Sequence, residues 1–212
     1  MSHTSQRRGL DPSRPGQELL VLAMVSKPFR NKKGIDEAVM GLAAKMLEHG
    51  RDHWPKWVND RLEEASKRVL RSSLAVAFTD VKRVENLLND LKGDWLVRNK
   101  EKGLPVSIVL TGLQGDTHAC CQKTGFKEHT YLHSLGFFGR VHDLPSEDEL
   151  SLITMCGHGL IAKNRVKHLV SSIRKGELTP EEAAEDIARP CVCGIGNKER
   201  AQEIFERLAK RR

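Results

Sequence analysis

The sequence predicts an α/β protein: a small, mostly parallel sheet with helices, followed by a helical C-terminal region that carries the cysteines. Three observations lead there. Two nearly continuous apolar runs, Glu18–Val25 and Gly103–Gly112, are bounded by glycine or proline, as buried strands are. Between them, apolar residues recur at helical spacing. All five cysteines, at 120, 121, 156, 191 and 193, fall in the second half of the 212 residues.

Taken in order, residues 1–17 are polar and punctuated by Pro12, Pro15 and Gly16; they read as a flexible tail. Residues 18–112 form the α/β layer. After the first strand, Ile35, Val39, Leu42, Ala43, Met46 and Leu47 repeat at helical spacing, and Gly50 can stop the helix. A basic helix carrying Lys67, Arg68 and Arg71 is expected from Pro55 to Arg71. Ser73–Phe78 suits either an extension of that helix or a short strand. Thr79 is a candidate cap for a helix with Val81, Val84, Leu87, Leu88 and Leu91, ending at Gly93. The alternation of strands and helices suggests parallel strands. Gly112–Gly125 reads as a polar loop at a strand's carboxyl end, where open α/β sheets bind ligands.

Residues 113–212 form the helical cysteine-bearing region, packed on the α/β layer as one compact unit. Ser146 with Glu149, and Thr179-Pro180-Glu181-Glu182, have the form of capping boxes. Val166, Leu169, Val170 and Ile173 mark a helix ending at Gly176, and Ala201, Ile204, Phe205 and Leu208 mark a last one.

Composition narrows the class. Apolar residues make up 39% and charged residues 30%, which fits a globular chain. No apolar run approaches the roughly 20 residues of a membrane helix, and no hydrophobic segment follows the N-terminal arginines, so a cytoplasmic protein without a membrane partner is expected. The net charge is +7. Residues 1–103 hold 20 Lys/Arg against 14 Asp/Glu, residues 104–212 hold 15 against 14, so the basicity belongs to the half without cysteines. A solvated surface or a site for nucleic acid or an acidic partner both fit, though no nucleic-acid motif is present.

The cysteines carry the chemical signal. Their number is odd, two are adjacent and two are separated by one residue, which suits ligand or redox thiols better than a disulfide framework. They fall at expected breaks between elements, beside glycines: Cys156-Gly157-His158-Gly159 and Cys193-Gly194-Ile195-Gly196. Glycine lets backbone approach a cluster or substrate closely, and helix N-termini nearby favour thiolate. Intervals of 34 residues separate Cys121 from Cys156 and Cys156 from Cys191, as helical excursions returning to one place would give. Cys121, Cys156, Cys191 and Cys193 are therefore the candidate ligands of one shared site. Gly157, Gly194 and Gly196 are candidate cofactor contacts, and Cys120, His118 and His158 candidate catalytic groups.

An iron–sulfur cluster, of the [4Fe–4S] type, is the first choice of cofactor, with zinc as the alternative. The doubled cysteine resembles the cysteine-rich domain of heterodisulfide reductase-type proteins. The order here is CC, C, then C-x-C without a closing C-x-x-C, and no function is carried over from that family. The expected function is an enzyme doing redox or sulfur-transfer chemistry on a small substrate, with an electron-transfer partner where the chemistry needs one. The alternatives are a zinc-stabilised module that binds nucleic acid or an acidic partner through its basic half, and a metal-free enzyme with Cys156 as nucleophile and His158 or His118 as base. Other candidates are weaker. Asp116 and Thr117 beside His118 suit acid–base work. His129 and His133 have helical spacing without the H-E-x-x-H order of zinc proteases. Gly136–Arg140 would place Arg140 beside an anionic substrate.

Overall fold

The first apolar run is the centre of a three-stranded sheet. A computed structural model describes residues 8–50, 73–131, 136, 138–191 and 195–211. Within it, strand β1 (Leu19–Val25) pairs with β2 (Ser73–Phe78) on one side and β3 (Val106–Thr111) on the other. Both pairings are antiparallel, with Val21 opposite Val76 and opposite Leu110. The expectation of a mostly parallel sheet is therefore corrected. β2 and β3 do run in the same direction, joined by helices as in a strand–helix–strand unit, but β1 lies between them. Element order alone does not fix strand direction: β1 and β2 are successive and neighbouring, yet antiparallel. A run buried on both faces, usually a mark of parallel sheets, here marks the central strand: Leu19, Leu20, Val21, Leu22 and Ala23 are all buried.

The chain divides into two units, Pro12–His129 and Met1–Asp11 with Thr130–Arg212. In the first, α1 (Ile35–Gly50) ends where its glycine predicts. Ser73–Phe78 is settled as a strand. Helix α2 (Val81–Asp90) is capped by Asp80 rather than Thr79, the carboxylate accepting from the Lys82 amide at 2.8 Å. The chain continues through a wide turn, Leu91–Trp95, in which Gly93 breaks helical geometry (φ −71°, ψ −130°), into α3 (Leu96–Glu101). That break lets the Trp95 indole donate to the Ala38 carbonyl of α1 at 2.8 Å. Leu19, Val21 and Ala23 of β1 pack with Leu42 and Met46 of α1 and Leu87 of α2 in one core. The expected helix between Pro55 and Arg71 lies outside the described residues.

Gly112–Gly125, expected as a loop, is mostly helix: α4 (Gln114–Thr124), ended by Gly125 in the left-handed region (φ 68°). Its polar sequence has little amphipathic pattern. What holds it is tertiary packing, with Cys120 and Thr124, one turn apart, buried on one side.

The second unit is helical: α5 (Glu147–Ile153), α6 (Lys163–Arg174), α7 (Pro180–Ala188) and α8 (Lys198–Lys210). Both expected capping boxes are present, at Ser146/Glu149 and Thr179/Glu182. Leu152, Val166, Leu169, Ile187, Ile204 and Phe205 meet in its core. Residues near the N-terminus join this unit. The Arg8 amide donates to Thr154 Oγ1 at 3.0 Å, and its guanidinium pairs with Glu147. Among the described residues, no helix is long and apolar enough to cross a membrane.

Candidate metal-ligating cysteines

The thiols fall into two sets, one in each unit. Cys120 and Cys121 lie on α4, close to its carboxyl end, rather than in a loop. Cys120 is fully inaccessible and belongs to the sheet–helix core. Burial pushes its thiol up to about 11, with the neighbouring Cys121 and Glu85 adding to the rise and Lys123 opposing it. The carbonyl end of a helix also disfavours a thiolate. Cys121 is partly exposed, and its thiol is raised first by burial, then by the charge of Glu128 and a hydrogen bond to it. Both thiols are therefore held towards the protonated form, which disfavours a nucleophilic role for either.

Polar groups around α4 are linked in a chain. Glu128 receives the Cys121 contact and lies 2.9 Å from His118 Nδ1, while His118 Nε2 is 2.9 Å from the Gln122 amide nitrogen. The carboxylate thus links thiol and imidazole. Asp116, the expected partner of His118, instead accepts from the Gly16 amide at 2.7 Å and ties the segment before β1 to the start of α4. Thr117 donates to the Gln114 carbonyl. Glu128 carries little signal in the sequence: it is a carboxylate seven residues beyond Cys121, at no spacing that marks a site.

A second carboxylate, this one buried, also stands near the thiols. Glu85 of α2 is 5% exposed, yet Lys123 of α4 and Lys82 donate to it at 2.9 and 3.3 Å. Lys123, above all, holds its carboxyl below the ordinary value. This pair joins α2 to α4 beside Cys120.

In the helical unit, Cys156 and Cys191 lie outside any disulfide and are exposed by only 3% and 1%. Both lie outside helices, as expected. Cys156 follows α5 and opens a turn in which its carbonyl accepts from the Gly159 amide at 3.0 Å. Gly159 takes a left-handed φ of 69° there. Gly157 is half-buried within this turn and His158 is exposed. Cys191 follows α7, its amide donating to the Ala188 carbonyl at 3.0 Å. The chain then returns, so that a Cβ on Gly196 would meet Ala188 Cβ at 3.5 Å and Cys191 Cβ at 3.7 Å. These are ordinary contact distances. Gly196 therefore marks close packing around Cys191 without being sterically required. Cys193 and Gly194 lie outside the described residues, as does His133. His129 is exposed in a non-helical segment, and Arg140 pairs with Asp143 at 2.7 Å on the surface.

Among the described residues no three His, Cys, Asp or Glu side chains stand together as a metal site. What the helical unit does offer is the right donor chemistry: two buried soft thiols outside any disulfide, with a third thiol two residues beyond Cys191 in sequence. Comparison with known proteins finds no matching family model, curated protein or solved structure.

Proposed function

We propose that the chain is an iron–sulfur protein whose cluster is held in the helical unit by Cys156, Cys191 and Cys193, and that it acts as an enzyme of redox or sulfur-transfer chemistry on a small substrate. The observation that carries this reading is the environment of Cys156 and Cys191. Both are almost completely buried, uncrosslinked and set in non-helical turns of one unit. A cysteine that serves only as an apolar filler more often packs from a regular element, as Cys120 does from α4; Cys156 packs in the core of the helical unit from a turn instead. Turn backbone can aim amides at sulfur and offset thiolate charge. The cluster would supply electron transfer and a site for sulfur ligation. The chain's own residues would exclude water around it and, at the exposed His158, handle a proton. The pair on α4 is left out of the ligand set, because Cys120 is packed in the sheet–helix core and Cys121 is engaged by Glu128.

Anaerobic purification followed by a visible spectrum and iron, sulfide and zinc analysis tests the reading. A brown protein with iron and sulfide is expected, losing both in Cys156→Ser, Cys191→Ser or Cys193→Ser and keeping both in Cys120→Ser. Stoichiometric zinc without iron would make the site a structural one. A metal-free protein with one readily alkylated thiol at Cys156 would overturn the proposal in favour of thiol catalysis.

A further inference from the structure

The end of the sheet where β1 finishes carries a concentrated positive charge that the cysteine chemistry does not use. From Leu19 to Ile35 the chain contains no acidic residue, while Lys27, Arg30, Lys32 and Lys33 crowd the connection from β1 to α1. Because β1 is antiparallel to β3, this connection emerges at the end of the sheet where β3 begins. The last turn of α3, ahead of β3, contributes Lys100, and Lys32 Nζ donates to the Gly103 carbonyl at 2.6 Å, stapling the β1–α1 connection to the turn that follows α3. Lys27, Lys33 and Lys100 are exposed, and among the described residues none of the three is paired with a carboxylate.

The connection is also held in shape. The Phe29 amide donates to the Ser26 carbonyl at 2.9 Å, Lys32 to Phe29 at 3.0 Å and Ile35 to Lys32 at 3.1 Å. Arg30 Nε reaches back to the Val25 carbonyl at 3.3 Å. Pro28 fixes the turn's first residues further. Successive turns and a proline reduce the ordering cost of binding. The chain has only six phenylalanines, yet Phe29 is 40% exposed in the middle of these cations. Cations that track a backbone, with an aromatic face between them, are what a single-stranded nucleic acid requires: phosphates meet the charges and a base stacks on the ring. An acidic peptide would use the charges but not the ring. A bilayer surface would call for a broader apolar face than one phenylalanine.

We propose that the β1–α1 connection, with Lys27, Phe29, Arg30 and Lys33, and Lys100 beside it, is a docking surface for single-stranded nucleic acid. The proposal stands apart from the metal reading and does not depend on it.

Fluorescence anisotropy of the full chain with labelled single-stranded RNA and DNA of about 20 nucleotides tests it, alongside duplex of the same sequence. Engagement of about four phosphates gives an affinity that falls roughly fifty-fold between about 50 and 200 mM salt. Replacing Lys27 and Lys33 together by Ala should weaken binding and flatten that salt dependence. Phe29→Ala should weaken it roughly ten-fold with the salt dependence kept. All three side chains lie on the surface, and unchanged thermal unfolding of the variants confirms that folding is intact. The proposal is overturned if single strands do not bind, or if these substitutions leave binding unchanged. Loss of binding only on substitution of Lys67 and Arg68 would also overturn it, as would tighter binding to phosphatidylserine vesicles or an acidic peptide than to the single strands.

Discussion

Cys120 shows how far a single residue's role depends on where the backbone puts it. In a loop it would be a candidate nucleophile; on α4 it is a small apolar filler facing the sheet–helix core. Its thiol is raised from 9.0 to about 11, so as the pH climbs the unfolded chain ionises first. The stability tied to the protonated thiol is complete below pH 9 and is lost between pH 9 and 11, by an amount on the order of 2 kcal/mol. Urea unfolding at pH 8, 10 and 11 should show a steeper loss for the wild type than for Cys120→Ala. Parallel curves would remove the buried-thiol account. Iodoacetamide labelling of the native protein should modify Cys121 before Cys120, because Cys121 is partly exposed and Cys120 is not. No spacing in the sequence separates these adjacent thiols. The helical turn separates them, rotating one towards the core and the other towards Glu128.

The best-read elements were those whose ends are written in local chemistry. Thr179 accepts from the Glu182 amide while Glu182 accepts from the Thr179 amide, with Pro180 at the first helical position. Replacing Thr179 by Ala leaves an N-terminal amide without its acceptor and should cost about 1 kcal/mol in chemical denaturation. A cost near zero would mean that the cap is dispensable to α7. Such boxes involve residues three apart, so they are legible without knowing the fold. α4 was misread for the opposite reason: Gly112, Gly115 and Gly125 and a polar sequence signal a loop, and only burial of Cys120 and Thr124, with the Lys123–Glu85 link to α2, favours the helix. The wide turn after α2 is similar. Gly93 was read as a stop, but Trp95 reaching the Ala38 carbonyl carries the chain on into α3.

At the scale of the molecule, Cys120 packs in the core of the sheet-bearing unit and Cys156 in the core of the helical unit. β1 is paired along both edges and buried on both faces, so hydrogen exchange should be slower in β1 than in β2 or β3. Faster exchange in β1 than in either neighbour would contradict the sheet order. The helical unit draws on the N-terminal segment that the sequence presented as a flexible tail. Gly9, at φ 77°, packs so tightly that an added Cβ would lie 1.9 Å from Ser151 Oγ. Gly9→Ala should therefore lower the stability of the helical unit, read as faster exchange in α5 and α8. Unchanged exchange there would show that residues 8–11 do not brace it.

By itself the sequence determined the buried strand β1, α1, the capped starts of α5 and α7, and the turn positions of Cys156 and Cys191. Each follows from interactions within a few residues: an unbroken apolar run, a helical repeat, a cap and its partner, a glycine beside a cysteine. Tertiary structure alone decided that β1 lies between β2 and β3, that α4 is a helix with Cys120 in the core, and that Glu85 and Glu128 stand beside the thiols. Those outcomes depend on which surfaces meet after chain excursions of up to about ninety residues, where burial and pairing free energies outweigh local propensity.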